Sequence, residues 1–163
     1  MPRVSASFGQ QATAFDYHAQ SGGNLKAPLI SSAAEPALID STTVAGTAPT
    51  ATVNYYVGSQ SVIYLTSNAG ANWTMNFAGT AGTPLNLFMT TGQVITVVLL
   101  ATQGSTAYYN SAITIDGASI TPKYQGGSAW TAGNASGVDI YTYTIVKTGN
   151  SAFTVFTSQT QFK

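Results

Sequence analysis

The chain has 163 residues, which is enough for one domain with a hydrophobic core and some additional chain. Charged residues make up 6% of it, the formal net charge is zero and it contains no cysteine. This composition argues against a nucleic-acid-binding protein, because phosphate neutralisation needs clustered Lys and Arg, and it excludes disulfide bonds and cysteine-ligated metal sites.

The exterior of the folded chain is predicted to be polar but uncharged. Between residues 41 and 115 there is no Asp, Glu, Lys, Arg or His. A soluble monomer usually carries mixed charge on its surface, which opposes association. A surface of Thr, Ser, Asn, Gln and Gly is easier to desolvate and favours a protein that packs against neighbouring subunits. A secreted domain with a Thr/Ser-rich exterior is the alternative interpretation.

Residues 1–50 predict an extended, irregular N-terminal arm, because they show no sustained hydrophobic period of a strand or a helix. They contain four of the six prolines and five of the ten charged residues. The residue before each proline is restricted to extended geometry. Apolar side chains that a plain linker would lack are spaced along the arm. We expect these anchors to dock onto partner proteins, sister subunits or the β-domain itself, and a frayed terminus is the alternative interpretation. The anchors are Phe8, Phe15, Tyr17, Leu25, Leu29 and Ile30.

Residues 51–163 predict one β-domain made of short strands rich in β-branched and aromatic residues and separated by turns. The predicted strands cover residues 52–57, 62–66, 72–77, 94–101, 106–109, 112–115, 119–124, 138–147 and 152–159. No segment shows the amphipathic pattern of a stable helix, and only a short helical turn is expected near residues 85–89. The series predicts an all-β fold, an antiparallel β-sandwich of the jelly-roll kind.

Two hairpins are the clearest local predictions. Asp116-Gly117 lies between two β-like runs and suits the positive φ angles of a type I′ turn. A longer hairpin joins residues 138–147 to residues 151–159. In its first strand one face carries Tyr141, Tyr143 and Ile145. The other face is also apolar enough to be at least partly covered, because it carries Val138, Ile140 and Val146.

The sequence offers little for catalysis, and we expect neither enzyme activity nor a bound cofactor or metal ion. The lone His18 lies in the predicted arm, no second histidine can complete a triad, and no Gly-x-Ser-x-Gly motif is present. Asp116 is explained by its turn, and no two carboxylates have the spacing of a glycosidase pair or a hard-cation site. The N-terminus lacks the apolar stretch of a secretory signal, and the longest apolar run, residues 94–101, is too short to cross a bilayer.

Aromatic residues are the remaining candidates for a binding site. Exposed aromatic rings flanked by Asn, Gln and Ser can stack on sugars or anchor an interface. Trp73 is more simply a core residue of its strand. The candidates for glycan or interface contacts are Tyr108, Tyr109, Tyr124 and Trp130.

The C-terminal third contains a series of spaced motifs: Tyr-Gln-Gly-Gly at 124–127, Val-Asp-Ile-Tyr-Thr-Tyr at 138–143, Phe-Thr-Val at 153–155 and Ser-Gln-Thr-Gln-Phe at 158–162. With Asn-Trp-Thr-Met-Asn-Phe at 72–77 and Gly-Gln-Val-Ile-Thr-Val at 92–97, the series resembles a module in structural proteins of tailed bacteriophages, particularly marine and cyanobacterial phages. The resemblance covers residues 52–163 and leaves out the arm. Two positions depart from the pattern: Tyr124 stands where the module has Trp, and Trp130 lies in a loop that more often carries Pro.

The resemblance implies a non-catalytic virion component with a β-sandwich fold, assembled in the host cytoplasm. The chain is short and has no fibrous repeat or heptads, so we expect a capsid-surface decoration (cement) protein or a short-fibre protein. Its expected partners are major capsid or tail subunits and copies of itself, in a homotrimer or another symmetric oligomer, without nucleic acid or membrane. The alternatives are a tail-fibre tip module that recognises host surface glycans, and a secreted enzyme or lectin.

Overall fold

The structure is a computed structural model that describes residues 38–39 and 49–163. His18 and the six predicted arm anchors lie outside these residues. The anchors are Phe8, Phe15, Tyr17, Leu25, Leu29 and Ile30. The arm over residues 1–50 and its boundary with the β-domain therefore stay predictions. Within the predicted arm, Leu38–Ile39 forms a two-residue strand that pairs with Ile63 and Tyr64.

Strands make up nearly all of the regular secondary structure of the described chain, as the alternation of apolar and polar residues predicts. Its one α-helix within the described residues is a single turn at the position where the sequence predicts a turn. The elements are β1 (Leu38–Ile39), β2 (Thr52–Tyr56), β3 (Val62–Leu65), β4 (Trp73–Ala78), α1 (Leu85–Phe88), β5 (Val94–Thr102), β6 (Asn110–Ile115), β7 (Ala118–Ile120), β8 (Lys123–Tyr124), β9 (Val138–Gly149) and β10 (Ala152–Phe162).

The strands form two sheets. Sheet A has the order β1-β3-β5-β9-β10-β8, and sheet B has the order β2-β4-β6-β7. From β1 to β6 the chain alternates between the two sheets, so each strand pairs with the strand two positions away in the sequence. The all-β prediction is confirmed in this two-sheet form.

The prediction of antiparallel sheets is wrong for most strand pairs. Five of the eight pairs are parallel, namely β1·β3, β3·β5, β2·β4, β4·β6 and β8·β10. The turn residues after each early strand mark a crossing to the opposite sheet, whereas the prediction took them as hairpin reversals. Side chains alternate with the same period in both kinds of ladder, so the sequence pattern does not separate them. The jelly-roll order is not confirmed, since a jelly roll consists of antiparallel strands.

Both predicted hairpins are confirmed. Asp116 and Gly117 have φ angles of 52° and 80°, and β6 pairs with β7 across them. The long hairpin pairs β9 with β10 and turns at Asn150 and Ser151. The strand predicted over residues 106–109 is wrong, because those residues form a loop that side chains of the neighbouring segments hold. Pro122 separates β7 from β8, since proline lacks the N–H that a ladder needs.

The core lies between the two sheets. Aromatic rings of sheet B meet aromatic rings of sheet A: Trp73 lies 5.6 Å from Tyr141, and Phe77 lies 5.0 Å from Tyr143, between ring centroids. Trp73 is buried, which confirms its predicted core position. The predicted face of Tyr141, Tyr143 and Ile145 is the inward, buried face of β9.

Candidate functional site

Two of the four candidate aromatic residues lie in contact. The rings of Tyr124 and Trp130 meet edge to face at 4.9 Å between centroids, and Trp130 also contacts Tyr141 at 5.2 Å. The indole N–H of Trp130 donates to the carbonyl oxygen of Asn110 at 2.5 Å. Trp130 is half-buried, and its hydrogen bond and ring contacts bind it to the core.

The other two candidates, Tyr108 and Tyr109, are half-buried in the loop before β6. The backbone N–H of Tyr108 donates to the Gln103 side chain at 3.0 Å, and that of Tyr109 donates to the Asn72 side chain at 3.1 Å. Both rings pack against the core. In the described chain no ring contact joins them to Trp130, so the four candidates do not form one exposed aromatic platform.

Asn110 connects these aromatic residues and was missed by the sequence reasoning. Its amide N–H₂ donates to the carbonyl oxygens of Trp73 at 3.0 Å and Ala112 at 2.7 Å, and its amide oxygen accepts from the Tyr143 hydroxyl at 3.1 Å. The residue is buried. Its polarity concealed this role, because a period-2 pattern marks an Asn as a surface or turn residue.

A shallow groove lies beside Trp130, with a volume of about 200 Å³. A second groove of about 320 Å³ adjoins it and shares some of its wall. Amide and hydroxyl groups are the polar groups in the first groove, which is lined by Gln125, Gly126, Ser128, Trp130, Thr157, Ser158 and Gln159. These groups can form hydrogen bonds but hold no charge.

Asp139 is a fully buried carboxylate at the start of β9. Its Oδ2 accepts from the Gln103 side-chain N–H at 2.9 Å and from the Asn134 backbone N–H at 3.1 Å, while its Oδ1 has no partner. Burial raises the pKa of Asp139, and the two hydrogen bonds partly offset that rise. Burial, and then the charge of Asp139, raise the pKa of Tyr141. The sequence contains a signal for this burial, because residue 139 shares the period-2 face of Tyr141.

The exposed side of α1 presents two large apolar side chains. Leu87 is 76% exposed and Phe88 is 45% exposed. Asp116 accepts hydrogen bonds from the first backbone N–H groups of this turn. The carboxylate of Asp116 therefore has a structural role beyond its own hairpin.

The outer face of sheet B is polar and internally hydrogen-bonded. Asn54, Asn76 and Thr114 lie in register on β2, β4 and β6. The Asn76 amide donates to Asn54 at 2.9 Å, and the Thr114 hydroxyl donates to Asn76 at 2.8 Å. This face suits contact with water.

The outer face of sheet A differs sharply, because aliphatic and aromatic side chains cover most of it. Tyr64, Leu100 and Ile140 form one row across β3, β5 and β9, and Val62 and Val98 form part of the next. All five are partly exposed. Farther along the face lie Val94 at 57% exposure, Phe156 at 47% and Phe162 at 52%.

No group of three or more potential metal-ligating side chains occurs within residues 38–39 and 49–163. The same residues include no helix long and apolar enough to cross a membrane. Comparison of the chain with protein-family profiles, curated proteins and solved structures finds no match. The resemblance to phage structural proteins therefore stays a prediction from the sequence motifs.

Proposed function

We propose that this chain is a non-catalytic structural subunit of a tailed-phage virion, either a capsid-surface decoration (cement) protein or a short-fibre protein. The observation that carries the proposal is the apolar outer face of sheet A, which leaves Leu100, Ile140 and Phe156 in contact with water. Large exposed apolar patches mark sites of protein association. An exterior with few charged residues and one apolar face fits a subunit that functions inside an assembly.

The described carboxylates support a structural role over catalysis. Asp116 binds two backbone N–H groups of α1, and Asp139 is enclosed by Gln103 and Asn134. Asp116 lines a shallow pocket, but no histidine, lysine or second carboxylate is among the residues that line it, so the pocket lacks a partner acid or base for catalysis. The proposed partners are major capsid or tail subunits, and the arm anchors at residues 8–30 supply the proposed contacts to them.

Immuno-electron microscopy of particles tests this proposal. Antibody against the purified chain should label the heads or the short fibres of the phage whose genome encodes it. Particles from a deletion strain that lacks the gene provide the matched control. Absence of the chain from purified particles, by labelling and by mass spectrometry, would contradict the proposed virion role.

Recognition of host glycans by a tail-fibre tip is a second candidate, and the groove beside Trp130 is the observation that favours it. Its support is weaker, because the indole N–H already binds Asn110 and the ring packs on Tyr124 and Tyr141. A glycan array probed with the wild-type chain and with Gln125→Ala, at an exposed position of the groove, separates the two candidates. Glycan binding that Gln125→Ala abolishes would favour recognition over a purely structural role.

A further inference from the structure

We infer that the outer face of sheet A packs against a second copy of this chain. The inference rests on the proposed structural role and deepens it, because it names both the surface and the partner. The face is defined by the outward side chains of β3, β5, β9 and β10, which include Tyr64, Leu100, Ile140 and Phe156.

The chemistry of this face selects an uncharged partner. Its rows contain aliphatic, aromatic, Thr and Ser side chains and no charged residue. Lys123 lies beside the face on β8, where it lines a groove with Thr142 and Thr144. A partner that placed a charge over the row from Tyr64 to Ile140 would bury that charge without a counter-ion, which costs free energy. A second copy of the same face avoids this cost, because it brings no charge to the centre of the interface.

The area of the face reaches the lower limit for a specific contact. β5 and β9 pair over nine residues, and with the neighbouring β3 and β10 they give a face of roughly 500 Å², from strand spacings of about 4.8 Å and rises of about 3.3 Å. Two such faces in contact would remove about 1,000 Å² from water, the lower limit for a specific interface. Face-to-face packing of sheets is a common way to bury such surfaces, and the contact of identical faces is related by a twofold axis.

The contrast between the two sheets supports this assignment. On the outer face of sheet B, the side chains of Asn54, Asn76 and Thr114 form hydrogen bonds with one another. On the outer face of β3, β5, β9 and β10, one such link occurs among the described residues, between the hydroxyls of Thr96 and Thr144 at 3.0 Å. The two outer faces therefore suit different environments, water for sheet B and protein for sheet A.

Sedimentation analysis of the full-length chain tests the inference. The wild-type chain should have a mass above the single-chain value of 16.8 kDa. Leu100→Lys, in the row from Tyr64 to Ile140, should reduce the mass to that of one chain. Thr74→Lys, on the central strand β4 of sheet B, is the matched control and should leave the mass unchanged. Far-UV circular dichroism and thermal melting verify that both variants are folded.

Cysteine labelling gives a second readout that does not depend on a charged variant. Because the chain has no cysteine, Thr142→Cys on sheet A and Thr74→Cys on sheet B each introduce a single thiol. In the assembled protein a maleimide should react several-fold more slowly with Thr142→Cys than with Thr74→Cys. Equal rates, or an oligomer that Leu100→Lys leaves intact, would overturn the inference.

A wild-type chain that sediments as one subunit also overturns the inference. If Thr142→Cys is nevertheless protected in that monomer, another segment of the same chain covers the face. If the chain is a monomer in solution but antibody still detects it on phage particles, the proposed virion role holds and this interface does not. An oligomer that is absent from particles supports the interface and contradicts the virion role.

Discussion

Asp116 and Lys147 hold opposite ends of the same helical turn, α1. The Asp116 carboxylate accepts from the backbone N–H groups of Leu85 at 2.6 Å and Asn86 at 2.9 Å. The Lys147 ammonium donates to the carbonyl oxygens of Met89, at 2.8 Å, and Asn86. The free N–H and C=O groups at helix ends need such partners, and an isolated turn of this length is not stable in water. The two charged residues therefore fix α1 against the sheets.

Asp116→Asn should lower the free energy of unfolding by about 1 kcal/mol, as expected for the loss of a charged helix-capping acceptor. Asn tolerates the positive φ of this position, so the variant changes the cap and leaves the hairpin intact. Urea denaturation measures the effect. Lys123→Gln, which alters an exposed charge on β8, is the control and should change stability by less than about 0.5 kcal/mol. Equal stability of Asp116→Asn and wild type would contradict the capping role.

Lys147→Met should destabilise the fold by about 2 kcal/mol, because it leaves the Asn86 and Met89 carbonyl oxygens without their donor. Lys147 is only 6% exposed, so its aliphatic stem is replaced by a side chain of similar shape. The double variant with Asp116→Asn should lose less stability than the sum of the two single changes, since both act on the same turn. If the losses of unfolding free energy in the two single variants add up to the loss in the double variant, the two ends of α1 are independent.

Part of this arrangement could be predicted from the sequence. The Asp-Gly pair predicted the hairpin at Asp116 because the required backbone geometry is local. Its capping of α1 could not be predicted, since Leu85 is distant in sequence and meets Asp116 only after the chain has crossed between sheets. The same crossing explains the failed antiparallel prediction, because turn residues reveal a change of direction and not the sheet to which the next strand belongs.

The candidate site shows the same limit. Period-2 alternation correctly grouped Tyr141, Tyr143 and Ile145 on one face of β9, since the alternation of side chains is encoded locally. Which of the two faces is buried was not predictable, because both are apolar. The surroundings of Trp130 were not predictable, because Tyr124 and Asn110 approach it from separate segments. The apolar outer face of β9 was visible in Val138, Ile140 and Val146, but only the register with β5 extends it into a surface.

Asp139 should give the protein a pH-dependent stability of defined sign. Because burial raises the pKa of its carboxyl group, the folded protein keeps this proton at pH values where the unfolded chain has released it. The stabilising contribution of Asp139 to the free energy of unfolding is fully present below the ordinary aspartate pKa of about 4. The contribution is lost as the pH rises through the raised pKa of the folded state.

Asp139→Asn cannot titrate, so its free energy of unfolding should lack this decrease with rising pH. Urea denaturation across the acidic and neutral range measures both proteins. Asp116→Asn is the control that removes a different carboxylate and should keep the decrease. Parallel curves for Asp139→Asn and wild type would show that Asp139 does not cause the dependence.

Asn110→Ala should destabilise the protein by about 2–4 kcal/mol, because it removes three side-chain hydrogen bonds, two of them buried, and leaves the buried Tyr143 hydroxyl without this acceptor. The near-ultraviolet circular dichroism signal should also weaken, as Tyr143 and the strand that holds Trp73 lose their common partner. Asn72→Ala removes the same side chain at an exposed position with a single bond, to the Tyr109 N–H, and should cost much less. Equal losses of stability in Asn110→Ala and Asn72→Ala would contradict the role of Asn110 as the connecting residue.

Gly133→Ala tests how closely the loop before β9 packs on the Asp139 site. A Cβ atom at this position would overlap the carbonyl oxygen of Tyr108 and lie 2.6 Å from the Asp139 carboxylate. The backbone oxygen cannot move without breaking its hydrogen bond from Gln103, so the substitution should cost about 1–3 kcal/mol, as other overpacked sites do. Gly82→Ala is the matched control, because its Cβ meets no atom within 4 Å. Alanine restricts the unfolded chain more than glycine does, so this variant should be as stable as wild type or slightly more stable. If thermal unfolding shows the two variants to be equally stable, the loop is not fixed against Asp139 as the structure describes.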